Sequence, residues 1–233
     1  MNIHLHRQAG LAAGIVILAA AALAADSSPT VSLFNGRDLS GWKTIGGKGV
    51  NQWQVGRAAL ADTDPARLKI AGPGGELVSP EKGANLVTEA SFGDCRLELE
   101  FLIARGSNSG VKMMSIYEIQ ILDSFGKSNV DDQDCGAVYK ESAPRVNACK
   151  QPGRWQTLVI DFRAPRFDAA GRKVANARFV KVTLNGQVVQ ENVEVAHGTN
   201  VSRNAKEHPT GAIYLQGDHG PVAFRHLRIT PLS

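Results

Sequence analysis

The sequence predicts an all-β protein, an antiparallel sandwich or jelly roll, and three observations predict it. Apolar and polar residues alternate along run after run from Cys95 onward. No segment carries the periodicity of an amphipathic helix. Gly, Asn, Asp and Pro punctuate the runs at short intervals, as in sandwiches built from many short strands. The 233 residues contain no linker-like stretch and no internal repeat, so a single domain over residues 30–233 is expected. Composition excludes other classes. With 43% hydrophobic and 21% charged residues, the chain is too apolar and too weakly charged to be disordered. The net charge of +4 is spread thinly, its longest clusters being pairs such as Arg172-Lys173, so no nucleic-acid partner is expected.

The first element is a leader. A lone charge, Arg7, precedes the apolar run Leu11 to Leu23, and Ala22-Leu23-Ala24 offers the small residues that a signal peptidase reads. The chain turns polar at once, at Asp26-Ser27-Ser28-Pro29. Residues 1–24 therefore read as a signal peptide, with a mature protein that is periplasmic or secreted; an uncleaved anchor is the alternative. No later apolar stretch is long enough to span a bilayer.

The strands follow. In Cys95 to Ala104, Leu97, Leu99, Phe101 and Ile103 fall on one face, and Arg96, Glu98 and Glu100 on the other. Residues 110–115, 117–122, 136–140, 155–162, 179–184, 187–195, 211–216 and 222–230 read the same way. Asn185-Gly186, between two of these runs, predicts a two-residue hairpin. Residues 164–177 read as a long inter-strand loop. Export permits a disulfide, and the pairing expected is Cys135–Cys149 across 13 intervening residues, leaving Cys95 buried and free. No cysteine or histidine spacing suggests zinc.

The most informative segment is Asn108-Ser109-Gly110 followed by Tyr117-Glu118-Ile119-Gln120-Ile121-Leu122-Asp123. Glu118 and Gln120 share a face, opposite Tyr117, Ile119 and Ile121. Two polar side chains on an otherwise apolar strand need an aqueous concavity or hydrogen-bond partners; a solvated outer face is the plainer reading.

These residues resemble a known family, the 3-keto-disaccharide hydrolases, also called 3-keto-glucoside 1,2-lyase/hydratases. The resemblance runs in order from Leu33-Phe34-Asn35-Gly36-Arg37-Asp38-Leu39-Ser40-Gly41-Trp42. It continues through the two blocks above, Gly136-Ala137-Val138-Tyr139, Pro152-Gly153-Arg154-Trp155 and Leu184-Asn185-Gly186. It closes with Gly211 to Gly220. It implies a concanavalin A-like jelly roll with a sugar-binding cleft, acting on glycosides whose C3 hydroxyl has been oxidised to a ketone. A sugar 3-dehydrogenase that makes such substrates is implied as a functional partner. One departure is Gly217, between Gln216 and Asp218, which bears on where His219 points.

A C3 ketone acidifies the C2 hydrogen, so a base can remove it and expel the C1 oxygen; water adding back completes a net hydrolysis. The reaction asks for a base, a donor or cation at the developing enolate oxygen, and an acid for the leaving oxygen. Glu118 is the candidate base. Lys140 or His219 would stabilise the enolate or protonate the leaving group. Asp123 would orient one of them or ligate a divalent cation; no cofactor is fixed by the sequence, and the metal stays unassigned. Asn108, Ser109, Gln120, Tyr139, Trp155, Gln216 and Asp218 are the candidate sugar-binding residues, Trp155 having either a stacking or a core role. Each has a bland reading: a solvated Lys140, a turn-capping Asp123, an ordinary turn histidine at 219. Asp131-Asp132-Gln133-Asp134 lacks the Gly and distant Glu of an EF-hand loop.

Two other functions compete. Glu118-x-Gln120-x-x-Asp123 occupies the slots of the carboxylate signature of jelly-roll retaining glycosidases, but Gln120 replaces the middle carboxylate. A sugar-binding module without catalysis is the other, since fold alone does not assign activity.

Overall fold

The computed structural model of the chain describes Met1, residues 29–46 and residues 50–232. The expected signal peptide thus lies, Met1 apart, outside the described residues. Among those described, no helix is long and apolar enough to cross a membrane.

The expected all-β class is what forms. The strands before residue 95 are β1 (Val31–Ser32), β2 (Trp42–Ile45), β3 (Gln54–Gly56), β4 (Ala58–Leu60), β5 (Leu68–Ile70), β6 (Glu76–Ser79) and β7 (Asn85–Thr88). The middle of the chain supplies β8 (Cys95–Ile103), β9 (Asn108–Met113), β10 (Tyr117–Leu122), β11 (Gln156–Arg163), β12 (Arg166–Phe167) and β13 (Lys173–Ala175). The last are β14 (Ala177–Leu184), β15 (Gln187–Val195), β16 (Tyr214–Leu215) and β17 (Val222–Pro231).

Two antiparallel sheets form the sandwich. The larger has the order β15-β14-β11-β8-β17-β6-β3, with β1 added to β17; the smaller is β10-β9-β16-β7-β2. Their facing sides form one core. Leu97, Leu99, Phe101 and Ile103 of β8 meet Val111, Met113, Tyr117, Ile119 and Ile121 of the smaller sheet. Tyr117, Phe162 and Phe179 stack in series at 5.5 and 5.3 Å between ring centroids, a spacing that favours tilted aromatic pairs.

Alternation therefore decides the outer face of the smaller sheet. With Tyr117, Ile119 and Ile121 committed to the core, Glu118 and Gln120 must point outward.

The Asn185-Gly186 hairpin forms as expected, with both residues at positive φ between paired Leu184 and Gln187. Residues 164–177 are more ordered than a loop, because β12 and β13 pair into a small ribbon. Residues 136–140 are not a strand. Val138 makes only isolated bridges, to Ile119 and Ser142, and Lys140 takes positive φ, so the segment wraps the edge of β10 as a turn.

All three cysteines are buried thiols, and no disulfide joins them. Cys135 and Cys149 are nonetheless hydrogen-bonded side by side, which draws the Cys149 thiol down and pushes Cys135 up. Cys95 is raised to about 12 by burial.

Candidate active site

The site is built on the outer face of β9 and β10. The tight turn at Met114 and Ser115, both at positive φ, sets a register that pairs Glu118 with Lys112 and Gln120 with Gly110. On the other side of β9, β16 brings Tyr214 beside Lys112. A row of Glu118, Lys112 and Tyr214 thus crosses three strands. Lys112 Nζ lies 3.3 Å from Glu118 Oε2, with the two side chains only 7% and 4% exposed, and 5.1 Å from the centre of the Tyr214 ring.

Burying an ion pair on a sheet face gives little net stability, because desolvation offsets the attraction. Its presence here marks a site rather than a scaffold contact. Burial lifts the Glu118 carboxyl above its ordinary range; Lys112 and His219 pull it down and Asp218 pushes it up. Burial, and then the Glu118 charge, raises the Tyr139 hydroxyl.

Gly110 is the floor. A Cβ there would sit 2.2 Å from Glu118 Oε1, so the carboxylate occupies the space that any side chain would fill. The cavity above holds about 100 Å³ and is lined by Asn108, Lys112, Glu118, Gln120, Tyr139, Gln216 and His219. Gln120 Nε2 lies 3.5 Å from Asn108 Oδ1. Asn200 and Val201 complete the rim. They sit on a single 3-10 turn anchored by buried Thr199, whose amide donates to Ile116 O and whose Oγ1 accepts from Glu118 N at 3.1 Å. Arg203 then ties this loop to Glu141 at 2.8 Å.

The far wall carries an Asp–His pair. His219 Nδ1 lies 2.5 Å from Asp218 Oδ1. Asn85, buried on β7, donates from Nδ2 to Asp218 Oδ2 at 3.1 Å. Its Oδ1 accepts from the amides of Gly217 and Asp218 at 2.8 and 3.2 Å.

A larger cavity of about 500 Å³ is lined by Arg163, Arg166, Lys173 and Arg178. Its cations already have carboxylate partners: Asp94 for the first two, then Glu207 and Glu194. The smaller pocket, with its ion pair and histidine, is the candidate site.

Six expected residues converge there: Asn108, Glu118, Gln120, Tyr139, Gln216 and His219. Asp218 stands behind His219, both its oxygens engaged within the protein. Four expectations are corrected. Lys140 is exposed, its ammonium over the Tyr139 ring at 5.6 Å, because positive φ turns the chain outward. Asp123 caps the turn before β9, accepting from Gly106 N at 2.8 Å. Ser109 points inward and donates to Gln216 O at 2.8 Å, as alternation with Asn108 and Gly110 requires. Trp155 lies with the Ala58, Leu68 and Val78 cluster under the Arg225 guanidinium at 4.1 Å, away from the pocket.

Sequence reasoning missed Lys112, Asn85, Asn200 and Val201. A signal existed for Lys112: a charge inside an apolar run, brought into register with Glu118 by the short turn.

The pocket's donors do not fit a divalent cation. Its one carboxylate is already paired with Lys112, and among the described residues no three His, Cys, Asp or Glu side chains converge to hold a metal ion.

Residues 29–230 match the family model described as the 3-keto-alpha-glucoside-1,2-lyase-like domain. The chain belongs to this family. Gly217 lies in the turn that carries His219 to the pocket wall. A Cβ there would meet Ala84 O at 2.4 Å and the Trp53 ring at 2.8 Å, so glycine lets the turn lie against β7. No curated protein matches the chain. Among solved structures, it is similar to a "putative glycosyl hydrolase" from Parabacteroides distasonis, with 28% identity over 87% of this chain and 84% of that one and a TM-score of 0.69. A second protein so described from the same organism shares the fold at 18% identity, covering 88% and 94%, with a TM-score of 0.58.

Proposed function

We propose that the protein is an exported carbohydrate-active enzyme that cleaves 3-keto-glycosides by elimination and rehydration. The observation that carries this reading is a buried carboxylate and ammonium side by side on a pocket floor, with a histidine on the facing wall. Base, cation and acid are the three groups that the chemistry needs.

Glu118 takes the C2 proton, and burial, which strengthens its hold on a proton, suits it to that task. The electrons move onto the C3 oxygen, where the Lys112 ammonium meets the enolate charge in a site screened from water. The enolate then re-forms the ketone, the C1–O bond breaks, and His219 Nε2–H gives its proton to the departing oxygen. In the second half water adds at C1 of the enone, His219 takes a proton from it, and Glu118 returns its proton to C2. Both groups end as they began. Gln120 and Asn108 stand where they can hold hydroxyls of the ring without competing for the C2 proton.

A retaining glycosidase needs two carboxylates about 5–5.5 Å apart. Glu118 is the only one among the described lining residues, so that reading loses its second group. The oxidised substrate must come from an enzyme that dehydrogenates sugars at C3. The test is release of p-nitrophenol from p-nitrophenyl glucoside and from its 3-keto form. Release from the oxidised substrate alone is expected; release from the plain one marks a glycosidase, and release from neither a sugar-binding module.

A further inference from the structure

The Asn85 side chain has no place in the chemistry above, yet both its amide oxygen and its amide nitrogen are hydrogen-bonded. It is 3% exposed, and all its bonds go to the turn that carries His219: Oδ1 to two successive amides, Nδ2 to the Asp218 carboxylate. A buried amide could close a turn through its oxygen alone. The bond from Nδ2 does something different, because it fixes which way the carboxylate faces. With Oδ2 held by Asn85, Oδ1 is left for His219 Nδ1 at 2.5 Å.

The turn is clamped on both flanks. A Cβ at Gly217 would strike Ala84 O, and one at Gly220 would lie 2.7 Å from Asn108 N, so the chain on either side of Asp218-His219 lies flush against neighbouring strands. The carboxylate has little freedom to leave the ring. A carboxylate accepts and never donates, so the nitrogen facing it bears a proton.

We propose that Asn85 is a positioning residue. By orienting Asp218 it keeps a proton on His219 Nδ1 throughout the cycle, leaving Nε2 as the atom that exchanges protons with the departing oxygen and with water. As imidazolium, His219 loses the Nε2 proton to the C1 oxygen when the C1–O bond breaks, and becomes the neutral Nδ1–H form. That form has its lone pair at Nε2, ready to take the proton from the incoming water. Without the tether the ring is free to adopt the Nε2–H form, which has no lone pair on the substrate side.

Gln216 Nε2 also lies near Nδ1, at 3.1 Å. Nδ1 has one proton, and Asp218 Oδ1 takes it at the shorter 2.5 Å.

This role rests on the proposed elimination for its kinetic consequence but not for its structural one. The full chain with ¹⁵N-labelled histidine, His219 assigned by its loss in His219→Gln, reports the tautomer without any substrate. The neutral ring in the wild type is expected to be protonated at Nδ1. Asn85→Ala should move most of the population to Nε2–H, and so should Asp218→Asn, which keeps every backbone bond should Asn85→Ala fail to fold. On 3-keto-glycosides the Nε2–H ring still bears a proton for the departing oxygen, and what it lacks is the lone pair for water. Asn85→Ala should slow hydration of the enone, followed by proton NMR, on the order of 10-fold or more, while release of p-nitrophenol from p-nitrophenyl 3-keto-glucoside falls less than about 3-fold.

A wild-type ring protonated at Nε2 overturns the proposal, as does an unchanged tautomer in both variants. Equal losses in p-nitrophenol release and in enone hydration also overturn it and leave Asn85 as a turn brace. If no 3-keto-glycoside is cleaved by the wild type, the elimination reading fails, and the tautomer result still decides the role of Asn85.

Discussion

Replacing Lys112 with Met removes the positive charge from the pocket floor and nearly preserves the length of the side chain. Two unit charges 3.3 Å apart attract by about 5 kcal/mol at an effective dielectric of about 20. Breaking a buried pair by removing one partner costs about 3–5 kcal/mol, so the two routes agree on the size of the effect. The loss should depend on pH. Burial already holds the Glu118 carboxyl above its ordinary value of 4.5 in the folded protein, so its ionisation opposes folding. That opposition is absent below the unfolded value and complete once pH exceeds the folded one. Without Lys112 the folded value climbs further, and the opposition at pH 7 grows. Urea unfolding at pH 5 and pH 7 measures it: Lys112→Met should lose about 3–5 kcal/mol at pH 7 and markedly less at pH 5. Lys112→Met/Glu118→Leu should regain most of the stability and none of the activity. A single variant within about 1 kcal/mol of the wild type at pH 7, with the same pH slope, would refute the buried pair.

Other outcomes follow from single contacts. Gly110→Ala puts a Cβ where Glu118 Oε1 lies; the carboxylate must move, and turnover of 3-keto-glucoside should fall at least about 10-fold, measured at saturating substrate, with the thermal midpoint changed far less. Lys140→Ala and Asp123→Asn, both outside the pocket, should keep kcat within about 2-fold; a loss above about 10-fold in either would return it to the site. Oxidised glutathione should join Cys135 and Cys149, passing two electrons and two protons to the glutathione disulfide, and should raise stability by about 3 kcal/mol. Peptide mapping that finds Cys95 bridged would contradict the geometry.

The fold was legible in the sequence because one face of each long strand is buried. Leu97 to Ile103 and Tyr117 to Ile121 announce their cores by alternation alone, and the same alternation sends Glu118 and Gln120 outward. The short strands before residue 95 were not legible. Runs of three or four residues, such as Gln54–Gly56 and Leu68–Ile70, are too brief to show a period. Regular alternation on β10 sends Glu118 and Gln120 to the pocket, while Ser109, on the equally regular β9, faces inward between Asn108 and Gly110. Lys140 departs from the expectation because a positive φ ends the alternating run at that residue. Trp155 was undecided because both faces of that run are apolar, and only sheet packing assigns a side. Lys112 and Asn85 were missed for a different reason. Their roles come from partners 6 and 133 residues away, and such pairings exist only once the strands are in register.

The central claim is that Glu118 takes the C2 proton of a 3-keto-glycoside. Its most direct test is to incubate substrate and protein in deuterium oxide and follow the C2 hydrogen by proton NMR. The wild type should deliver product carrying deuterium at C2. Glu118→Gln, folded by circular dichroism, should slow both release and C2 exchange on the order of 100-fold or more. Product from the wild type that retains the original C2 hydrogen, or exchange at an undiminished rate in Glu118→Gln, would contradict the account.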